Sequence, residues 1–139
     1  MKISLIAIGE TYDTASQSLI NEYSKRLDHY TNFDIVITSD EKLNKILEKY
    51  NRVFLLDEGG KEYTSREFAD FIQKEQNIGS KSICFVVGGA YGFNKETESL
   101  ATSKISLSKM TFTHQMVRAI FIEQLYRSFT IINNEKYHH

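Results

Sequence analysis

An α/β fold, a mostly parallel sheet with helices on both faces, is predicted by three features of the amino-acid sequence. Short β-branched apolar runs alternate with stretches whose apolar residues recur at helical spacing, the order that builds a parallel sheet through helical crossovers. The most apolar run, Ser82 to Val87, shows no polar alternation, as a strand covered on both faces requires. No Pro-rich or Ser/Gly-rich linker interrupts the 139 residues, so residues 1–139 are expected to form one domain.

Each element has its own warrant. Lys2 to Ile8 is a β-rich run that stops at Gly9, and between Thr14 and His29 the residues Leu19, Tyr23 and Leu27 sit at helical spacing. Phe33 to Thr38 reads as a second strand. Leu43, Ile46, Leu47 and Tyr50 then fall at i, i+3, i+4 and i+7, one face of a second helix. Arg52 to Asp57 is the third strand, closed by a turn at Gly59-Gly60. Thr64-Ser65-Arg66-Glu67 has the spacing of a capping box ahead of Phe68, Phe71 and Ile72, so a third helix starts there. Ser82 to Val87, the expected central strand, runs into Gly88-Gly89-Ala90-Tyr91-Gly92 and then a helix capped by Asn94. Ile105 to Leu107 is a short fifth strand. The last helix, Met116 to Phe129, is apolar nearly all round and needs two partners. The sheet supplies one; a second subunit supplies the other in the reading we favour, a homodimer, and a deep core position in the plainer one.

Composition excludes several classes. With 41% hydrophobic and 25% charged residues the chain closes a core and is not disordered. Cys84, the single cysteine, lies in a strand and forms no disulfide within the chain, which fits a reducing cytoplasm. No leader pattern and no apolar run of about 20 residues points to export or a membrane. A net charge of −1 argues against indiscriminate coating of nucleic acid. From Lys104 onward, however, five Lys or Arg stand against two acids, leaving −4 for the rest. That basic end is either a solvated face or the side that meets RNA. Metal-ligand spacings, a Walker loop and a G-x-S-x-G elbow are all missing, so no metal or nucleophile chemistry is expected.

Ligands of parallel sheets bind beyond the carboxyl ends of the strands, which puts a site after Asp57, Val87 and Leu107. The glycine loop from Gly88 to Gly92 lets backbone approach a ligand, although a tight turn explains it as well.

Longer stretches then follow one another in a specific order: Lys2 to Gly9, Leu55 to Lys61 with Ser65 to Phe68, Phe85 to Gly92, Leu107 to Arg118, Ile122 to Arg127, and Tyr137-His138. In order and spacing, over essentially the whole chain, they resemble the RlmH family of SPOUT-class RNA methyltransferases. The resemblance implies a SPOUT domain with a C-terminal trefoil knot, a feature that sequence reasoning alone rejects as rare. It also implies a homodimer that uses S-adenosyl-L-methionine to methylate N3 of pseudouridine 1915 in helix 69 of 23S rRNA within the ribosome. The cofactor contacts it implies are Leu56, Gly88 and the run Leu107, Ser108, Lys109, Met110, Thr111, Phe112. Two departures stand out: Ala90 and Thr113 occupy positions where the family carries proline, and the connection between Ile37 and Leu43 is shorter than is usual.

Methyl transfer from a sulfonium is an in-line displacement, so alignment and exclusion of water are the main tasks. The N3 proton of pseudouridine must leave, helped by a base or a nearby positive charge. His114, Arg118, Tyr137 and His138 are the candidates for that neighbourhood. Plainer roles stand beside each: a helix-start histidine bonded to backbone, an arginine paired with an interface carboxylate, and a frayed tail. For Arg118 contact with RNA is favoured, and Arg127, four residues after Glu123, is expected to form an intrahelical ion pair. Two other classes remain: an RNA- or ribosome-binding protein that retains the fold without catalysis, and a flavodoxin-like binder of an anion or flavin in the glycine loop.

Overall fold

In the computed structural model, which describes residues 1–139, five strands form one sheet. They are β1 (Lys2–Ile8), β2 (Asn32–Thr38), β3 (Arg52–Glu62), β4 (Ser82–Val87) and β5 (Ser103–Ser106), in the order β2-β1-β4-β3-β5. Every pairing is parallel, with Leu5 beside Ile35 and Phe85, and Phe54 between Phe85 and Ser103. The connecting helices are α1 (Thr14–Leu27), α2 (Asp40–Leu47), α3 (Ser65–Ile78), α4 (Lys95–Leu100) and α5 (His114–Ile132).

Both faces of the sheet are covered. Ile3, Leu5, Phe54, Phe85 and Val87 point to the side of α1, α3 and α5 and join Ile20, Phe68, Ile72, Phe121 and Leu125 in the larger core. Ile6, Leu55, Cys84 and Val86 point the other way, to Leu43 and Leu47 of α2. Alternate residues of one apolar strand thus feed two cores, which is why Ser82 to Val87 lacks polar alternation. The β1-to-β2 and β3-to-β4 steps run one way along the sheet with α1 and α3 on one face. The return steps use α2 and α4 on the other face, as a single crossover handedness requires.

Local signals start the helices. Asp13 accepts from the Ser16 amide at 2.9 Å to cap α1, and Asn94 caps α4 through the Thr97 amide. Thr64 and Glu67 form the reciprocal capping box of α3. Gly79, in the left-handed region with φ 81°, ends that helix.

Three expectations are corrected. Gly59-Gly60 is not a turn: β3 continues to Glu62, with a register shift against β5 between Leu56 and Lys61. A Cβ on Gly60 would lie 2.6 Å from the Lys104 carbonyl carbon, so glycine there permits close backbone passage rather than reversal. β5 lies at Ser103–Ser106, leaving Leu107 just beyond it. Tyr50 falls outside α2, its hydroxyl donating to Ser4 Oγ at 2.9 Å. The α5 helix is flanked by α1 and α3 of the same chain, so its all-round apolar character already has two partners besides the sheet.

Candidate functional site

A cleft of about 480 Å³ opens at the carboxyl ends of β4 and β5 and at the middle of β3, where its pairing with β4 stops at Leu56. Leu56, Asp57 and Glu58 line it from β3, Val87, Gly88 and Phe93 from β4 and the loop after it, and Leu107 to Thr113 supply most of a third wall. Connections from the adjacent strands β3 and β4 leave for opposite faces of the sheet, which is what opens a crevice there.

The glycine loop is a tight turn as well as a wall. Gly92, at φ 73°, donates its amide to the Gly89 carbonyl at 3.1 Å. A Cβ on Gly88 would press on the Phe93 ring at 3.1 Å, so Gly88 allows an aromatic ring to seat against the strand end. The third wall is tied down internally: Ser106 Oγ donates to the Ser108 carbonyl, the Met110 amide donates to Ser108 Oγ, and Thr111 Oγ1 donates to Glu58 at 2.6 Å. Thr113 then caps α5, accepting from the Met116 amide at 3.2 Å. A capping hydroxyl fixes the start of this helix where a proline was expected from the resemblance.

His114, half-buried at the first position of α5, reaches the cleft. Behind it, Arg118 is only 1% exposed. Its guanidinium donates to the carbonyls of Ile8 (2.9 Å), Gly9 (2.7 Å) and His114 (3.2 Å) and to Thr11 Oγ1 (3.0 Å). Burial lowers its pKa from the ordinary arginine value while Glu10 and Tyr12 oppose that shift; arginine nonetheless remains a cation. Buried Gln115 completes the clamp: its Oε1 accepts from the amides of Tyr12 (2.8 Å) and Asp13 (3.2 Å), and its Nε2 donates to the Glu10 carbonyl. Tyr12, carried on this loop, lines the cleft mouth and meets the His114 ring edge-on at 6.2 Å.

The structure gathers Leu56, Gly88, Leu107, Ser108, Met110, Thr111, Phe112 and His114 around one cleft. Lys109 does not line it; that side chain is 86% exposed and pairs with Glu62 at 3.8 Å. The expectation that Arg118 meets RNA is corrected, because its donors turn inward to backbone carbonyls. Tyr137 and His138 are not frayed, and neither lines the cleft of its own chain. The Tyr137 hydroxyl donates to Glu123 at 3.0 Å and lies 3.1 Å from that of Tyr23. His138 Nδ1 is 3.1 Å from Arg127, whose expected ion pair with Glu123 is present at 2.5 Å. Partial burial, then the charges of Arg66 and Arg127, hold the His138 pKa below the ordinary histidine value.

Comparison with known proteins decides the family. Residues 1–138 match the family described as "Predicted SPOUT methyltransferase". A protein of Christiangramia forsetii named Ribosomal RNA large subunit methyltransferase H is 47% identical over 156 aligned positions, covering 100% of this chain and 99% of the relative. The chain belongs to the RlmH family of SPOUT methyltransferases. A second RlmH relative, from Parabacteroides distasonis, is 45% identical over the same span. Set against 139 residues, 156 positions leave at least 17 at which this chain has a gap. The fold is shared more widely: a probable methyltransferase from Bordetella pertussis superposes with a TM-score of 0.60 at 10% identity, over 91% of this chain and 95% of that one.

For an RlmH methyltransferase, the residues that sequence reasoning missed are Tyr12, Glu58, Phe93 and Gln115. Glu58 and Phe93 belong to the rim singled out by strand direction. The loop after β1 was overlooked although β1 shares that direction, and Gln115 stood within the resemblance without a role. Glu58 carries signal in its place next to Asp57, two consecutive carboxylates that line the cleft from β3.

Proposed function

We propose that this methyltransferase, a single domain of residues 1–139, acts on 23S rRNA within the ribosome. It transfers the methyl group of S-adenosyl-L-methionine to N3 of pseudouridine 1915 in helix 69, and does so as a cytoplasmic homodimer whose C-terminal part threads a trefoil knot. The observation that carries the reading is the single cleft that gathers seven of the eight residues implied as cofactor contacts, with His114 beside them. The relatives named as large-subunit ribosomal RNA methyltransferases support the substrate class.

The residues present suit the donor. Half of the cleft lining is apolar, and Glu58 adds negative charge at one wall, complementary to a cationic sulfonium and ammonium, while Asp57 beside it is paired with Lys104 at 3.5 Å. Leu56, Gly88 and the stretch from Leu107 to Phe112 would hold it. The donor supplies an electrophilic methyl group. The protein's part is to orient both reactants and keep water out. His114, which lines the cleft, would take the N3 proton as the nitrogen becomes nucleophilic, while Arg118 would position His114 by holding its carbonyl and the loop after β1. The Tyr137 hydroxyl and the His138 imidazole would have to enter from a partner subunit, since their own chain keeps them outside its cleft. A second reading, a protein that retains the fold without catalysis, is motivated by the shortened connection, in which Ser39 alone joins β2 to α2.

Incubation with labelled methyl donor and ribosomes from a strain lacking the gene, followed by mass-spectrometric mapping, tests both. Label at helix 69 is the expected result. Tight ribosome binding with no affinity for the donor would establish the non-catalytic reading instead.

A further inference from the structure

We propose that Tyr12 is the stacking platform for the nucleobase that enters the cleft, an exposed ring on a locked loop at the mouth beside His114. The inference rests on the RNA methyltransferase reading and adds a substrate-positioning residue to it. A base inside a duplex cannot turn its pairing edge into a cleft between strand ends; it must leave its stack, and the lost stacking has to be offset by the protein. Aromatic faces do this for any base.

Exposed large apolar side chains concentrate at this rim: Tyr12, Tyr91, Met110 and Met116 are four of the seven on the whole surface. Among the two tyrosines, only Tyr12 lines the cleft. Its backbone is also the better fixed. Gln115 accepts from the amides of Tyr12 and Asp13, and Arg118 holds Ile8, Gly9 and Thr11 just before them. With the Gln115 bond to the Glu10 carbonyl, six hydrogen bonds immobilise a loop on which Tyr12 remains 74% exposed and gains little for the fold. The edge-on approach to His114, with the rings inclined at 65°, brings the platform next to the group placed to take the proton. Tyr91, fully exposed on the Gly89–Gly92 turn, has no comparable anchoring. A pre-organised aromatic surface costs less to use than a mobile one, because its ordering is complete before the base arrives.

The test compares wild type, Tyr12→Phe, Tyr12→Ala and Tyr91→Ala. Methylation of ribosomes from a strain lacking the gene is measured, with donor affinity by calorimetry and association state by sedimentation. Tyr12→Phe is expected to stay within about threefold of wild type. Tyr12→Ala is expected to lose roughly ten- to a hundredfold in kcat/KM, with KM for the ribosome rising and donor affinity and association state unchanged. Full activity of Tyr12→Ala overturns the platform, as does a loss carried by Tyr91→Ala instead. Weakened donor binding would assign the ring to the donor, and a changed association state would assign it to an interface between copies; either result removes the proposal. Wild type without activity would bring down the methyltransferase reading and the platform together, whereas active wild type beside active Tyr12→Ala removes only the platform.

Discussion

Arg118 carries five N–H donors in a rigid planar fork, and no other side chain can hold the carbonyls of Ile8, Gly9 and His114 and the Thr11 hydroxyl at once. Gly9, at φ 79°, turns its carbonyl into that fork, so a positive-φ glycine and a buried arginine form one device. Arg118→Lys retains the charge but not the geometry. It should leave one or two carbonyls unpaired and cost roughly 2 kcal/mol, seen as a lower urea midpoint. Because the clamp also holds Tyr12 and His114, methylation should fall further than stability alone explains; an unchanged midpoint would show that the fork is dispensable. His114 is the complementary case. Its ring is half-buried and makes no hydrogen bond within the fold, while the carbonyl held by Arg118 is backbone, so His114→Ala should keep both the urea midpoint and donor affinity. Methyl transfer should drop by about 10²–10⁴-fold, the usual contribution of a positioned base. Wild-type turnover in that variant would mean the N3 proton leaves by another route.

Elements, rather than single residues, set the shape of the cleft. β3 is extended past Asp57 by its irregular pairing with β5, and the register shift carries Lys61 and Glu62 alongside Ile105 and Ser106. Leu107 to Thr113 departs from the end of β5, so the third wall of the cleft inherits its position from that pairing. Gly60 is where the two backbones come closest: a Cβ there would meet the Lys104 carbonyl carbon, the Ile105 amide nitrogen and the Lys104 oxygen at 2.6–2.8 Å, all backbone atoms that cannot swing aside. Gly60→Ala should therefore push β5 outward. A destabilisation of about 1–3 kcal/mol is expected, typical of forced backbone shifts. Donor affinity should fall with it, since β5 carries the wall. Calorimetry and thermal unfolding on the same variant check both, and a stable variant with normal affinity would mean the wall is positioned by the Thr111–Glu58 bond alone.

At the scale of the molecule, how much was legible in the sequence follows from the range of the interactions. Strands, capped helices and a rim of strand ends depend on periodicity and local chemistry, so Thr64-Ser65-Arg66-Glu67 and the apolar run at Ile83 to Val87 announced themselves. The inward turn of Arg118, the passage of β3 through Gly59-Gly60, and the flanking of α5 by α1 and α3 are contacts between segments far apart in the chain. Spacing carries no record of those. Cys84 ties the two scales together, because a strand thiol was legible and its place in the smaller core was not. It lies in β4 between β1 and β3, wholly inaccessible, and burial pushes its pKa well above the ordinary thiol value. Reaction with an alkylating agent needs both access and the thiolate. Exposing Cys84 means lifting β4 out of the middle of the sheet, which breaks both faces at once and amounts to unfolding the molecule. Labelling of the native protein should therefore be at least about 10³-fold slower than in concentrated urea, as expected for a domain of ordinary stability. At intermediate urea the labelled fraction should track the loss of helical signal by circular dichroism. Rapid labelling without denaturant would show that the β1-β4-β3 centre opens on its own, and that the strand ends forming the cleft are not held by a cooperative sheet.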